Sequence, residues 1–275
     1  MYCMHMGTRD IKNTGGVIRH MAYVVSIGNQ KGGVGKTTTA EALAEGLVGL
    51  GKAVLLVDLD AQGNISLAAE AFRGLTAYEV LTRQCAPSEA VQKREGRSDI
   101  LPARSDMARL DVELVSTGKE YRLREQMAPL LPLYDFIVID TPPALGVLTV
   151  NALTASHCVV MPAQADIYSL QGIGQLADTL GAIRAYTNPG LALAGILLTR
   201  HNARSILSRD MTDAARATAE QMGTFLYDTV IREAVALKEA QAYRQPIYQY
   251  APKSNAALDY AAFTKEFLER GVRHA

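Results

Sequence analysis

The residue types with the most chemistry in them sit together near the N-terminus, in the run Y-V-V-S-I-G-N-Q-K-G-G-V-G-K-T-T-T from Tyr23 to Thr39. Apolar, mostly β-branched residues from Tyr23 to Ile27 give way to a glycine-rich loop, Gly28 to Gly35, which closes on Lys36, Thr37 and Thr38. Glycines let successive backbone N–H groups turn toward one anion, the following helix adds the positive end of its dipole, and Lys36 brings a mobile full charge. The chemistry predicted is capture of a nucleotide polyphosphate, with Gly32, Gly33, Val34, Gly35, Lys36, Thr37 and Thr38 as its cradle. The loop reads K-G-G-V-G-K-T, so it holds a further lysine, Lys31.

Acids follow at the ends of later apolar runs. V-D-L-D-A-Q-G-N places Asp58 and Asp60 after the run Ala53 to Val57, and D-F-I-V-I-D-T-P-P places Asp140 at the end of another, with Pro142 and Pro143 behind it. The carboxyl ends of parallel strands are where open α/β sheets bind ligands. Beside a phosphate loop, such acids point to magnesium and an attacking water: Asp58 and Asp140, the last through a bound water, are expected metal ligands. The proline pair stiffens a turn able to sense a terminal phosphate. The bland alternative is that Asp58 and Asp60 merely cap the next helix.

These side chains need a scaffold, and the rest of the chain supplies one. Further apolar runs at His157 to Pro162, Leu193 to Thr199 and Tyr227 to Ile231 read as strands, and Asp99 to Leu101 as an edge strand. Thr38 to Leu50, Thr76 to Leu81, a segment from Pro87, one or two stretches within Ala103 to Leu131, Ser169 to Tyr186, Glu233 to Tyr243 and Asn255 to Glu269 have helical spacing. Strands alternating with helices predict an α/β fold: a single P-loop domain with a twisted, mostly parallel sheet flanked by helices on both faces. Residues 21–275 form that domain, and residues 1–20, which lack periodicity, are expected to be a disordered or weakly docked tail or a basic arm carrying Arg9, Lys12 and Arg19. Met21, directly before the first strand, is a second candidate start.

With 275 residues and 48% hydrophobic content, the chain can bury a substantial core. Formal charge is zero, so any nucleic-acid site must be a local patch. Arg200, Arg204, Arg209 and Arg216 form one candidate: Arg209 and Arg216 lie about two helical turns apart and share a face. Cys3, Cys85 and Cys158 are scattered without a C-x-x-C pair, which argues against an iron–sulfur or zinc site and fits a cytoplasmic protein. No apolar run reaches the length of a bilayer span, so no membrane partner is expected.

With K-G-G-V-G-K-T, V-D-L-D-A-Q-G-N and I-D-T-P-P in that order, the chain resembles the ParA/Soj/MinD family of deviant Walker A ATPases, most closely its DNA-partitioning members. The resemblance runs from Ala22 to about Arg270 and includes M-P-A-Q-A-D-I-Y-S-L-Q-G and T-R-H-N-A-R. It implies ATP and Mg²⁺ as ligands, with Lys36 on the β- and γ-phosphates, Thr37 on the metal, Asp140 holding it through water, and Asp60 positioning the hydrolytic water. Lys31 matches the family's signature lysine, which reaches the nucleotide of a partner subunit in an ATP-sandwich homodimer. Lys31, Lys36 and Asp60 are thus the implied catalytic residues. The resemblance further implies slow hydrolysis, non-specific DNA binding by the ATP dimer, a nucleoid-associated location, and stimulation by a ParB-like centromere-binding partner. Arg204 matches one of the family's DNA-contacting arginines; where a second is often found stands Ala236, with Lys238, Arg200, Arg209, Arg244 or Lys253 available to replace it. A MinD-like positioning ATPase acting on a membrane or a protein cluster is the alternative, and an ATP-dependent amidoligase a more distant one.

Overall fold

Long apolar runs become strands here because the sheet is covered on both faces, the setting in which continuous Val/Ile/Leu sequences belong. The computed structural model describes residues 21–71, 73–202 and 206–272, preceded by an antiparallel pair of two-residue segments, Ile11–Lys12 and Ile18–Arg19. The tail expectation for residues 1–20 otherwise falls outside the described residues. Six strands form one sheet: β1 (Tyr23–Ile27), β2 (Val54–Asp58), β3 (Asp99–Leu101), β4 (Phe136–Asp140), β5 (Cys158–Gln164) and β6 (Ala192–Thr199). Their order is β3-β2-β4-β1-β5-β6 and every pairing is parallel, as the α/β reading expects.

The principal helices are α1 (Lys36–Gly49), α2 (Val147–Ala155), α3 (Ile167–Tyr186), α4 (Ile206–Gln221), α5 (Val235–Ala242) and α6 (Asn255–Glu266). Side chains alternate along a strand, and the core divides accordingly. Val25, Ile27, Leu56 and Val138 pack with Leu43 and Leu47 of α1 and with Tyr260 and Phe263 of α6. Val24, Leu55, Val57, Ile137 and Ile139 pack on the opposite side with Leu110, Leu123 and Val147. Over β5 and β6 that second layer continues through Ile173 and Leu176 of α3 and Ala215 and Ala219 of α4. None of the described helices is long and apolar enough to cross a membrane.

Register brings the chemistry together. Asp140 is paired with Asp58 on one side and with Ile27 on the other, so the acids of β2 and β4 and the start of the phosphate loop share one end of the sheet. The chain leaves β1 toward β2 and later returns past it to β5, and this reversal of direction opens the crevice in which such folds bind ligands.

Several stretches depart from the sequence reading. Ala103 to Leu131 breaks into short pieces, among them Leu110–Glu113 and Arg122–Met127, because Gly118 turns left-handed at φ 78° between them. Helix α2 had no sequence expectation: it is buried nearly all round and so lacks the polar face that marks a helix. Tyr227 to Ile231 does not form a strand. It follows β6 through isolated bridges at Leu226 and Arg232, and the Glu266 carboxylate takes the N–H groups of Asp228 (2.8 Å) and Thr229 (2.9 Å) that a ladder would need.

That substitute edge is sensitive to acid. Burial raises the Glu266 carboxyl, but hydrogen bonds from Thr229 and the Asp228 amide, with the charge of Arg270, outweigh it and leave it below the usual range. A depressed carboxyl contributes stability that is complete above its unfolded value and lost as pH falls through its folded one. Glu266→Ala is therefore expected to cost about 1–3 kcal/mol near neutrality and to flatten the fall in stability below about pH 4.5. Denaturant unfolding at several pH values measures both.

Candidate active site

The glycine loop between β1 and α1 is built so that nothing of its own fills it. Gly33 and Gly35 adopt φ of 75° and 87°, left-handed conformations that only glycine enters without cost. Gly35 is the N-cap of α1 and offers no side-chain cap, so the first N–H groups of that helix stand open to an anion. Long-range bonds hold the loop in shape. Thr199 Oγ1, at the end of β6, donates to the Val34 carbonyl (2.8 Å), Gln164 Nε2 to the Gly33 carbonyl (3.0 Å), and Asn29 Nδ2 to the Pro162 carbonyl (2.7 Å).

A cavity of about 520 Å³ lies above the loop, lined by Gly32, Gly33, Gly35, Lys36, Thr37 and Thr38 on one side and Asp60 and Pro143 on the other. This volume suits a nucleotide. Lys36 is buried, and its Nζ folds back to donate to the Lys31 carbonyl at 3.0 Å. Burial holds its ammonium below the usual range, and the carboxylates of Asp140 and Asp60 partly restore it. The Val34 side chain is fully buried and does not line the cavity.

The two paired strand-end acids differ in their partners. Asp58 accepts from the Asp60 amide (3.1 Å), the Ser66 amide (3.1 Å) and the Ser66 hydroxyl (2.7 Å). Expected among the metal ligands, it uses Oδ2 to hold Ser66 of the short helix Asn64–Ala68 and Oδ1 to hold the Asp60 amide. Burial pushes its carboxyl up to about 6 against those hydrogen bonds. Asp140 is buried as deeply, yet neither carboxylate oxygen has a hydrogen-bond partner. Burial and then the charge of Asp58 raise it well above the carboxylate range, opposed by the nearby Thr37 hydroxyl, which lies outside good bonding geometry, and by Lys36.

An orphaned, buried carboxylate beside a hydroxyl suits a divalent cation. Among the described residues no group of three or more His, Cys, Asp or Glu side chains converges on one point. A cation held by Thr37 and Asp140 would therefore complete its shell with phosphate oxygens and water, the habit of magnesium. Asp60 lies on the cavity wall, where its Oδ1 accepts from the Gln62 amide at 3.0 Å.

Lys31 does not line this cavity. Its Nζ bonds both carboxylate oxygens of Asp166 at 2.7 Å and the Ser169 hydroxyl at 3.2 Å, at the N-terminus of α3. Sequence reasoning did not single out Asp166, although an acid directly before a helical run is an N-cap signal. The DNA candidates scatter. Arg204 lies outside the described residues. Arg200, at a left-handed φ of 49°, lines the nucleotide cavity, and Lys238 lines a smaller cleft opening beside it. Arg209 and Arg216 are exposed on α4, whose Ala215 and Ala219 are buried.

Residues 22–193 match the AAA domain family. The chromosome partitioning protein ParA of Myxococcus xanthus is 36% identical over 90% of this chain and 88% of its own length. The sporulation initiation inhibitor protein Soj of Bacillus subtilis is 37% identical over 91% of this chain and 100% of its own. This chain belongs to the ParA/Soj family of P-loop ATPases. Among solved structures, a cobyrinic acid a,c-diamide synthase of Mycobacterium smegmatis with bound ADP and magnesium superposes with a TM-score of 0.77 at 33% identity, covering 89% of this chain and 93% of that one. The cell division ATPase MinD of Pyrococcus furiosus superposes with a TM-score of 0.73 at 26% identity, covering 90% and 99%.

The orphaned acid gives this family site a measurable signature. Asp140→Asn removes a buried carboxyl that burial and the charge of Asp58 make costly to ionise, so the nucleotide-free protein is expected to gain about 1–2 kcal/mol of stability while nucleotide binding loses its response to magnesium. Thermal melting with and without Mg·ADP checks both halves.

Proposed function

We propose that the protein is an ATP-driven switch for DNA partitioning, with residues 21–275 as its ATPase domain. ATP enters with its β- and γ-phosphates against the loop N–H groups and Lys36; Thr37, with Asp140 through a bound water, would hold the accompanying magnesium, which would supply positive charge against the phosphates. Asp60 orients water toward the γ-phosphate from the opposite wall. Two ATP-loaded subunits then close face to face, each Lys31 leaving Asp166 for the partner's nucleotide. The dimer presents Arg209 and Arg216, with Arg204, to DNA phosphates without reading sequence. A ParB-like partner accelerates hydrolysis and releases the DNA, placing the working protein on the cytoplasmic nucleoid.

The observation that carries this reading is the second lysine of the loop, turned away from its own cavity and held on α3 by a carboxylate. A lysine needed only for its own nucleotide would point inward beside Lys36. The amidoligase reading lacks comparable support in the chain: no substrate-specific sequence pattern accompanies the nucleotide loop.

The test is Lys31→Ala. The variant is expected to bind ADP like the parent, yet to stay monomeric by light scattering with a non-hydrolysable ATP analogue and to lose retention on non-specific DNA. An ATP-dependent dimer in the variant would sink the reading. In the parent, reversing Arg209 and Arg216 to Glu should weaken DNA binding and reduce the log–log salt slope by about 0.9 for each phosphate the protein no longer neutralises. Retention on anionic vesicles in place of DNA would favour the MinD-like alternative.

A further inference from the structure

The wall of the cavity opposite the glycine loop is the turn from Thr141 to Gly146, which carries Pro143 into the site. Its near end is fixed to the end of β1, just before the phosphate loop, where the Thr141 hydroxyl donates to the Ile27 carbonyl at 2.8 Å. The far end runs into α2, where the Thr149 hydroxyl donates back to the Ala144 carbonyl at 2.6 Å but the first amides of the helix have no local cap. Gly146 is the N-cap of α2 and has no side chain to cap it.

The missing cap comes from a different segment. Asp111, on the single helical turn Leu110–Glu113, accepts the Val147 amide on Oδ1 at 2.6 Å. That turn cannot drift, because Leu110 and Leu114 on either side of Asp111 are buried in the core that also receives Val147 and Leu148. A carboxylate at this place also meets the positive end of α2. Gly146 leaves room for it: a Cβ there would stand 2.6 Å from Asp111 Oδ2 and closer still to Oδ1. The backbone does not itself require glycine, since φ of −98° and ψ of −170° are open to any residue.

Resting on the ATPase reading above, we infer that Asp111 is a positioning residue for hydrolysis: it fixes the far end of the Thr141–Gly146 turn and so sets where Pro143 meets the terminal phosphate. The glycine at 146 exists to admit this carboxylate. Asp111 touches no reacting atom, and its influence passes through the Val147 amide alone.

The geometry makes two different substitutions report on one contact. Asp111→Ala removes the cap; Gly146→Ala displaces it while leaving the backbone relaxed. Each is expected to lower kcat about fivefold and the melting temperature by about 2–4 °C, the worth of one cap, with ADP affinity close to the parent's. Asp111→Asn keeps an acceptor for the Val147 amide and should retain most of the activity. The double variant Asp111→Ala/Gly146→Ala should be no slower than either single one, because the alanine then meets an emptied space. Losses that multiply to about 25-fold, an Asp111→Ala protein with the parent's kcat, or a parallel fall in kcat, ADP affinity and melting temperature would each overturn the inference. Lys36→Ala, run alongside, separates this from the ATPase reading. If parent and Lys36→Ala hydrolyse ATP equally poorly, that reading fails, while the affinity ratio of a non-hydrolysable ATP analogue to ADP across the same variants still decides the role of Asp111.

Discussion

Asp58 and Asp140 stand opposite one another at the ends of adjacent, fully buried strands, and like charges so placed cannot both ionise without a counter-charge. Much of the site follows from how the chain meets that constraint. Asp58 is satisfied internally by Ser66 and the Asp60 amide, which turns the chain after β2 into the wall carrying Asp60. Asp140 is left without a donor. The cation that offsets its charge is Lys36, which is itself depressed by burial. The end of the sheet is thus short of positive charge until a cation and its nucleotide arrive, and the protein tolerates that imbalance as the condition for binding.

Around this charge the loop must be rigid without being filled. Rigidity comes from distant strands, through Thr199 on Val34, Gln164 on Gly33 and Asn29 on Pro162, so that no side chain of the loop occupies the phosphate space. Lys31 and Lys36 illustrate the division. One folds inward onto the loop backbone, and the other is held outside by Asp166, a carboxylate kept below its usual range against burial by the Lys31 and Ser169 contacts. A lysine stored on an exposed pair can be moved, since partly exposed ion pairs are worth about 1 kcal/mol or less.

What was legible in the sequence was what is local. The glycine loop, the acid-terminated strands and the alternation of strand and helix are contiguous patterns, and the sheet and the cradle follow from them. The contacts that refine the site are between residues far apart in the chain: Lys31 with Asp166, Val34 with Thr199, Val147 with Asp111. Nothing in any one of those segments announces the other. Asp58 shows the opposite hazard. Its place at a strand end beside a phosphate loop suggests a ligand, and nothing in the local sequence shows that Ser66, eight residues on, also bonds it. Tyr227 to Ile231 has the composition of a strand and fails to become one because Glu266 intercepts its amides. Helix α2 went unread for a related reason, since a helix buried all round carries no amphipathic signal.

Asp140 is the buried carboxyl on which the site turns, and ionising it takes a cation to balance the charge. The most direct test is calorimetric titration of the parent protein with ADP, once with magnesium and once with chelator. Affinity about tenfold or more tighter with magnesium is the expected result. Equal affinity under both conditions, or tighter binding with chelator, would contradict it.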